Sequence, residues 1–242
     1  MNPSESININ QHTIKRLIKD IKELRKHPLK EHGIYYKHDE NDILKGQALI
    51  IGPQDTPYQF GFYLFNFKFP TDYPHSPPKV TYLTNDGVTR FNPNLYISGK
   101  VCLSILNTWR GDSWTGCQTI STILLTLVTI LHNKPLTNEP GIKDNDPAHK
   151  HYNEIITYKN FQTAIYYMIN DFPTENNHHL DTMKELYLKN YDNIIHIINH
   201  IISTNNIYKK PHVVCCSTYG LTQLIDYNQL LSILKVLYVK LK

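Results

Sequence analysis

Cys102 is the residue in this chain best suited to covalent chemistry. It follows the Ser98-Gly99 turn and lies eight residues after Asn94, within the proline-fixed run Asn92-Pro93-Asn94. A thiolate is a strong nucleophile even as a minority species; at an unshifted pKa of ~8.5, about 3 % of a thiol is ionised at neutral pH. On chemistry alone Cys102 has a second reading, as a small buried hydrophobe in a strand. His196 and His200 fall four apart on an expected helix, a spacing that suits a metal, and His212, Cys215 and Cys216 could add ligands. No Cys-x-x-Cys pair accompanies them, so surface or packed histidines are the simpler reading. Cys117 reads as an incidental or buried thiol. The sequence holds no Gly-x-x-x-x-Gly-Lys phosphate loop.

The elements that must position these residues follow from hydrophobic periodicity. Ile14, Leu17, Ile18, Ile21 and Leu24 recur at helical spacing among Lys and Arg, and Pro28 ends that helix. Strand-like runs follow at residues 34–38, 44–51, 60–69 and 79–83. No helix interrupts them, so they predict an antiparallel meander. Pro70, Pro74, Pro77 and Pro78 make the third connection a rigid one, because proline cannot donate to a strand ladder. Helices are expected near residues 118–132 and 147–171, then a linker over 173–179. Beyond it lie helices at 180–190 and 193–203, an irregular or partly extended stretch at 208–220, and a last helix over 226–242. Asp226 and Gln229 stand in capping-box spacing at its start. Helix, strands, loop, helices is an α+β order.

A chain of 242 residues suits one large domain or a domain with an extension. With 40 % hydrophobic residues it can bury a core, so wholesale disorder is excluded. Net charge is +4, from 25 basic and 21 acidic residues, with no Lys/Arg block, which gives a nucleic-acid role no support. No run reaches the ~18 apolar residues of a membrane span. Met1 to Gln11 is polar and unlike a signal peptide. A vicinal cysteine pair and two singles make a poor disulfide framework, so an intracellular, reduced setting is expected.

Several motifs, in order, resemble the ubiquitin-conjugating enzyme family. They are Lys15-Arg16-Leu17 with Asp20-Ile21, then Ile51-Gly52-Pro53-Gln54-Asp55-Thr56-Pro57-Tyr58, then Phe69-Pro70-Thr71-Asp72-Tyr73-Pro74 and Pro77-Pro78-Lys79-Val80. Asn92-Pro93-Asn94, Val101-Cys102-Leu103-Ser104-Ile105-Leu106 and Ser113-Trp114 complete the set. Two features are similar to the Z-type branch: Asn92 in place of the family's usual His, and the insert Asn107-Thr108-Trp109-Arg110-Gly111. Asn138-Glu139-Pro140-Gly141 is also in that branch's form.

The resemblance implies a ubiquitin-conjugating fold: N-terminal helix, four-stranded antiparallel sheet, flanking helices and C-terminal helical extension. It divides the chain into a flexible tail (1–11), a catalytic domain (12–172) and the extension (173–242). It implies that Cys102 takes ubiquitin or a ubiquitin-like modifier from an activating enzyme as a thioester and passes it to a substrate lysine or a ligase. Asn94 would stabilise the oxyanion or hold the loop, and Glu139 would belong to the acidic gate that receives the lysine. Ser104 stands where the family often has Asp. No cofactor or metal is implied, since ATP is used by the activating enzyme. The partners are the modifier, the activating enzyme, a ubiquitin ligase and a protein substrate, with no nucleic acid and no membrane. The expected location is cytoplasmic or nuclear, or a host's cytoplasm if the source is a virus. His75 stands where an aromatic is frequent, and Thr115-Gly116-Cys117 replaces Ser-Pro-Ala, which implies an unusual or narrow ligase repertoire. Two rivals are a non-catalytic ubiquitin-binding scaffold of the same fold and an enzyme–ligase hybrid whose extension recruits substrate.

Overall fold

The structure, a computed structural model, describes residues 9–242. Residues 1–8, most of the expected tail, lie outside the described residues. Helix α1 (Gln11–Lys26) starts at Asn10, whose side chain accepts from the His12 N–H at 2.9 Å. It buries Thr13, Leu17, Asp20 and Leu24, spaced four, three and four apart. This differs from the apolar stripe read off the sequence: Ile18 is exposed and Asp20 is inside. The reason is a polar network. The Asp20 carboxylate accepts from Arg16 Nε at 2.9 Å and from the Tyr73 hydroxyl at 2.6 Å, which offsets its desolvation.

Four strands follow, β1 (Ile34–His38), β2 (Lys45–Ile51), β3 (Phe62–Lys68) and β4 (Lys79–Tyr82), paired antiparallel in sequence order. Register places Ile34, Ile50 and Tyr63 side by side, and likewise Ala48, Phe65 and Tyr82. These sit on one face. Tyr35, Leu49 and Leu64 sit on the other, and Leu49 and Leu64 are fully buried there too. Both faces are therefore covered, which a lone meander could not achieve. Helix α2 (Ile120–Thr129), capped by Thr119 and Thr122, packs against β2 and α1.

Helix α3 (Ala148–Lys159) runs on through a π-helical segment (Asn160–Tyr167) into the short α4 (Met168–Asn170). The fully buried Asn160 opens the wide turn. It donates to Gln59 O at 2.9 Å and accepts from the Tyr63 hydroxyl at 2.7 Å. Gly61 lies so close that a Cβ there would meet Asn160 Oδ1 at 1.9 Å.

The stretch expected as a linker is seated on the sheet. His178 N–H donates to Gln47 Oε1 at 2.8 Å, Lys37 Nζ donates to His178 O at 2.6 Å, and His179 Nε2 bonds Gln47 O at 3.1 Å. Lys37, Gln47 and Asn66 are cross-strand neighbours, so this segment lies on the same face as Leu49 and Leu64.

The remainder is helical but also holds a hairpin. A single helix α5 (Leu180–Thr204) replaces the two expected. The polar run Asn190 to Asn193 reads as a break by propensity, yet Tyr191 within it stacks on Tyr238 at 3.8 Å, and packing overrides the local preference. Strands β5 (His212–Cys216) and β6 (Leu221–Ile225) pair antiparallel. Helix α6 (Tyr227–Leu241) is capped by Asp226, which accepts from Gln229 N–H at 3.0 Å. Its buried Leu230, Leu234 and Leu237 join the same contiguous core as Leu17 and Phe65. Among the described residues, no helix is long and apolar enough to cross a membrane.

Candidate functional site

The site is built on one loop and its anchors. Asn92 is fully buried and fully occupied. Its Nδ2 donates to the Tyr58 hydroxyl at 2.9 Å and to Ile130 O at 2.7 Å, and its Oδ1 accepts the Asn94 N–H at 2.9 Å. The Tyr58 hydroxyl in turn donates to Phe91 O at 2.8 Å. A primary amide with its partners met in this way fixes the loop's start rather than taking part in chemistry.

Asn94 and Cys102 face each other across the loop. Cys102 N–H donates to Asn94 O at 2.8 Å, and Asn94 Nδ2 donates to Cys102 O at 2.7 Å. Asn94 Oδ1 is buried without a hydrogen-bond partner among the described residues. Cys102 is 2 % exposed. The insert after it bonds the adjoining backbone: Leu103 N–H donates to Thr108 Oγ1 at 2.9 Å, and that hydroxyl donates to Val101 O at 2.7 Å. Asn107 takes the left-handed conformation, at φ 55°, and accepts from Trp114 N–H at 2.9 Å. Trp109, within the insert, is half-exposed.

Arg90 forms a second anchor. Its Nη2 donates to Pro93 O at 2.5 Å, and Glu139 Oε2 lies 4.0 Å from the same nitrogen. Its guanidinium lies 3.8 Å from the centre of the Tyr96 ring and 4.4 Å from that of Tyr219. The Tyr219 hydroxyl donates to Glu139 Oε2. Burial and that bond to a carboxylate push the Tyr219 phenol well above the usual tyrosine range. Glu139 follows a 3₁₀ turn (Pro135–Asn138), where Asn138 Oδ1 lies 3.2 Å from His132 Nε2.

The structure thus brings Asn94 and Cys102 into direct contact. Glu139 reaches the same loop only through Arg90, and among the described residues it shares no hydrogen bond with Cys102 or Asn94. Arg90, Tyr96 and Tyr219 were not singled out from the sequence. Arg90 and Tyr96 flank the Asn-Pro-Asn run, but Tyr219 has no local signal at all. The other candidates lie apart. His196 and His200 are on α5, while His212 is on β5, 3.4 Å from Glu154. Among the described residues no group of three or more His, Cys, Asp or Glu side chains could hold a metal. All four cysteines are free.

A second surface joins α1 to the proline-rich connection. Arg16 donates to Gly116 O and Gln118 O, His12 stacks on His75 with ring centres 6.0 Å apart, and Trp114 Nε1 donates to Pro74 O at 2.8 Å. Chemically, the first site offers a free thiol on a loop whose main chain is held by the Asn94 side-chain amide. That combination suits acyl transfer onto and off sulfur.

The profile of the family described as "Ubiquitin-conjugating enzyme" matches residues 16–168. Ubiquitin-conjugating enzyme E2 Z of Danio rerio is 43 % identical over 159 residues, covering 64 % of this chain and 48 % of the relative. Its Homo sapiens counterpart is 43 % identical over 153 residues, covering 62 % and 43 %. The human Dual E2 ubiquitin-conjugating enzyme/E3 ubiquitin-protein ligase BIRC6 is 50 % identical over 119 residues, covering 45 % and 2 %. The chain spans about half the length of the E2 Z relatives it matches.

Proposed function

The chain belongs to the ubiquitin-conjugating enzyme family, in its Z-type branch, and on that premise we propose that Cys102 carries ubiquitin or a ubiquitin-like modifier as a thioester. The observation that carries this reading is the family match over residues 16–168, which contains Cys102 bonded to Asn94.

In the first step the Cys102 thiolate attacks the carbonyl carbon of the modifier's thioester on an activating enzyme. A tetrahedral intermediate forms, the bond to the activating enzyme's sulfur breaks, and that thiolate leaves. In the second step a substrate lysine, or a ligase cysteine, attacks the new thioester and the Cys102 thiolate leaves. The thioester itself holds the energy, so neither step needs ATP on this chain. An incoming amine must shed its proton, and its free pKa is ~10.4, so an acceptor near the site favours attack. Glu139 is the carboxylate proposed for that gate. Asn94 Nδ2 carries two protons and gives one to Cys102 O, leaving the other for the oxyanion.

The test is a loading assay with activating enzyme, ATP and ubiquitin, or another modifier, resolved with and without reductant. A reductant-sensitive adduct is expected. It should vanish in Cys102→Ala and become reductant-resistant in Cys102→Ser. Absence of any adduct with every matched pair of modifier and activating enzyme would replace this reading with a non-catalytic binding role.

A further inference from the structure

Tyr219 sits at the tip of the β5–β6 hairpin, far along the chain from the loop it touches. Its backbone is left-handed, at φ 64° and ψ 8°, a conformation uncommon for any residue but glycine and rarer for a bulky one. Such a conformation persists where surrounding contacts hold it, and such residues cluster at functional sites. Three contacts hold it here: its ring lies on the Arg90 guanidinium, its hydroxyl bonds Glu139, and its ring meets Tyr152 edge-on with centres 6.2 Å apart.

The geometry points to Tyr219 as a positioning residue of the transfer reaction, acting through Arg90 on the Asn92-Pro93-Asn94 loop. This rests on the conjugating role proposed above. The peptide unit between Pro93 and Asn94 is planar, so gripping both of its ends fixes it. Its N–H is taken by Asn92 Oδ1 and its carbonyl by Arg90 Nη2. The orientation of that plane aims the Asn94 side chain at Cys102. Arg90 holds its end only while its guanidinium keeps one direction. The Tyr96 and Tyr219 rings and the bond from Tyr152 to Arg90 O, at 2.7 Å, supply that constraint. Tyr219 is the member of this set that comes from outside the family-matched segment. Glu139 accepts the Tyr219 hydroxyl, a bond that Tyr219→Phe removes while leaving the ring on Arg90.

The experiment is single-turnover discharge of preformed Cys102 thioester onto free lysine, with the full chain, across lysine concentrations. Tyr219→Ala is expected to load to completion but discharge about ten-fold more slowly at saturating lysine. Half-saturation should stay within about two-fold, because the fault lies in geometry and not in binding. Tyr219→Phe keeps the ring on Arg90 and should retain the rate within about three-fold. Arg90→Lys keeps the charge without the planar guanidinium, so it should lose rate as Tyr219→Ala does. Thermal melts, read alongside, separate positioning from unfolding. If Tyr219→Ala fails to fold, the Arg90→Lys and Tyr219→Phe pair decides. Full-rate discharge by either Tyr219→Ala or Arg90→Lys overturns the inference, as does a Tyr219→Phe loss equal to that of Arg90→Lys. A parent protein that forms no thioester at all would instead remove the conjugating reading itself.

Discussion

Asn94 and Cys102 are bonded to each other twice, once from main chain to main chain and once from side chain to main chain. The residue proposed to receive the oxyanion is therefore already holding the residue proposed as the nucleophile. Asn94→Ala removes the side-chain donor and leaves the backbone bond. Discharge from preformed thioester should slow by about 10- to 100-fold, corresponding to about 1.4–2.7 kcal/mol. The melting temperature should fall by only a few degrees. Unchanged discharge in single-turnover assays would strip Asn94 of its catalytic role.

Asn92 behaves oppositely. Its side chain is buried and joins Tyr58, Ile130 and Asn94. Asn92→Ala leaves the Ile130 carbonyl and the Asn94 N–H without their partner. A stability loss of about 2–4 kcal/mol is expected, measured as a lower midpoint in urea unfolding. A midpoint equal to that of the parent would mean that the loop holds itself.

His179 gives the fold a pH dependence. Burial is the main cause that lowers its pKa to about 4, with Lys37 and His178 lowering it further against the opposing bond to Gln47 O. In the unfolded chain the value returns to ~6.5. Between these values the unfolded state binds more protons, so stability is complete above about pH 6.5 and declines as pH falls toward 4. The loss is on the order of 3 kcal/mol. Urea midpoints of the parent and of His179→Gln, compared across that window, test it. The variant should show the shallower slope, and identical slopes would assign the acid sensitivity elsewhere.

Gly61 is constrained by close approach rather than by its φ angle. Gly61→Ala drives a Cβ into Asn160 Oδ1 and toward the Tyr63 ring, at 1.9 and 2.8 Å. Destabilisation of at least about 2 kcal/mol is expected by calorimetry or urea unfolding. Wild-type stability would show that the wide helical turn can shift away at little cost.

The meander and the first helix are legible because their signals are local, and Cys102 stands out as a candidate for the same reason. Strand alternation, a proline-rich connection and a motif string all lie within short windows. The burial of Asp20 has no local signal, because nothing nearby in sequence shows that Tyr73 comes to meet it. The sequence marks the hairpin of β5 and β6 only as partly extended. Its left-handed turn falls on Tyr219, a residue type that gives no turn signal, with Gly220 alone to mark the place. Propensity alone breaks helix α5 at Asn190 to Asn193, because the Tyr238 ring that stacks on Tyr191 lies far along the chain. The Arg90 clamp was illegible for the same reason: its parts are Arg90, Tyr96, Glu139 and Tyr219, and only the first two are neighbours in the chain. Cross-chain contacts of this kind are set by packing, which periodicity does not encode.

The distance along the chain from loop to hairpin also sets an order of events in synthesis. At roughly 5–20 residues per second, a ribosome needs about 3–10 s to travel from the end of the family-matched segment at residue 168 to Tyr219. For those seconds the newborn protein has Cys102, Asn94 and Arg90 but no ring from the hairpin to lay on the guanidinium. The segment that will close over Leu49 and Leu64 is arriving in the same interval. Completion of the proposed site is thus timed by a hairpin that emerges after the family-matched segment, and a nascent polypeptide stalled before residue 219 would carry Cys102 and Asn94 without the Tyr219 ring on Arg90.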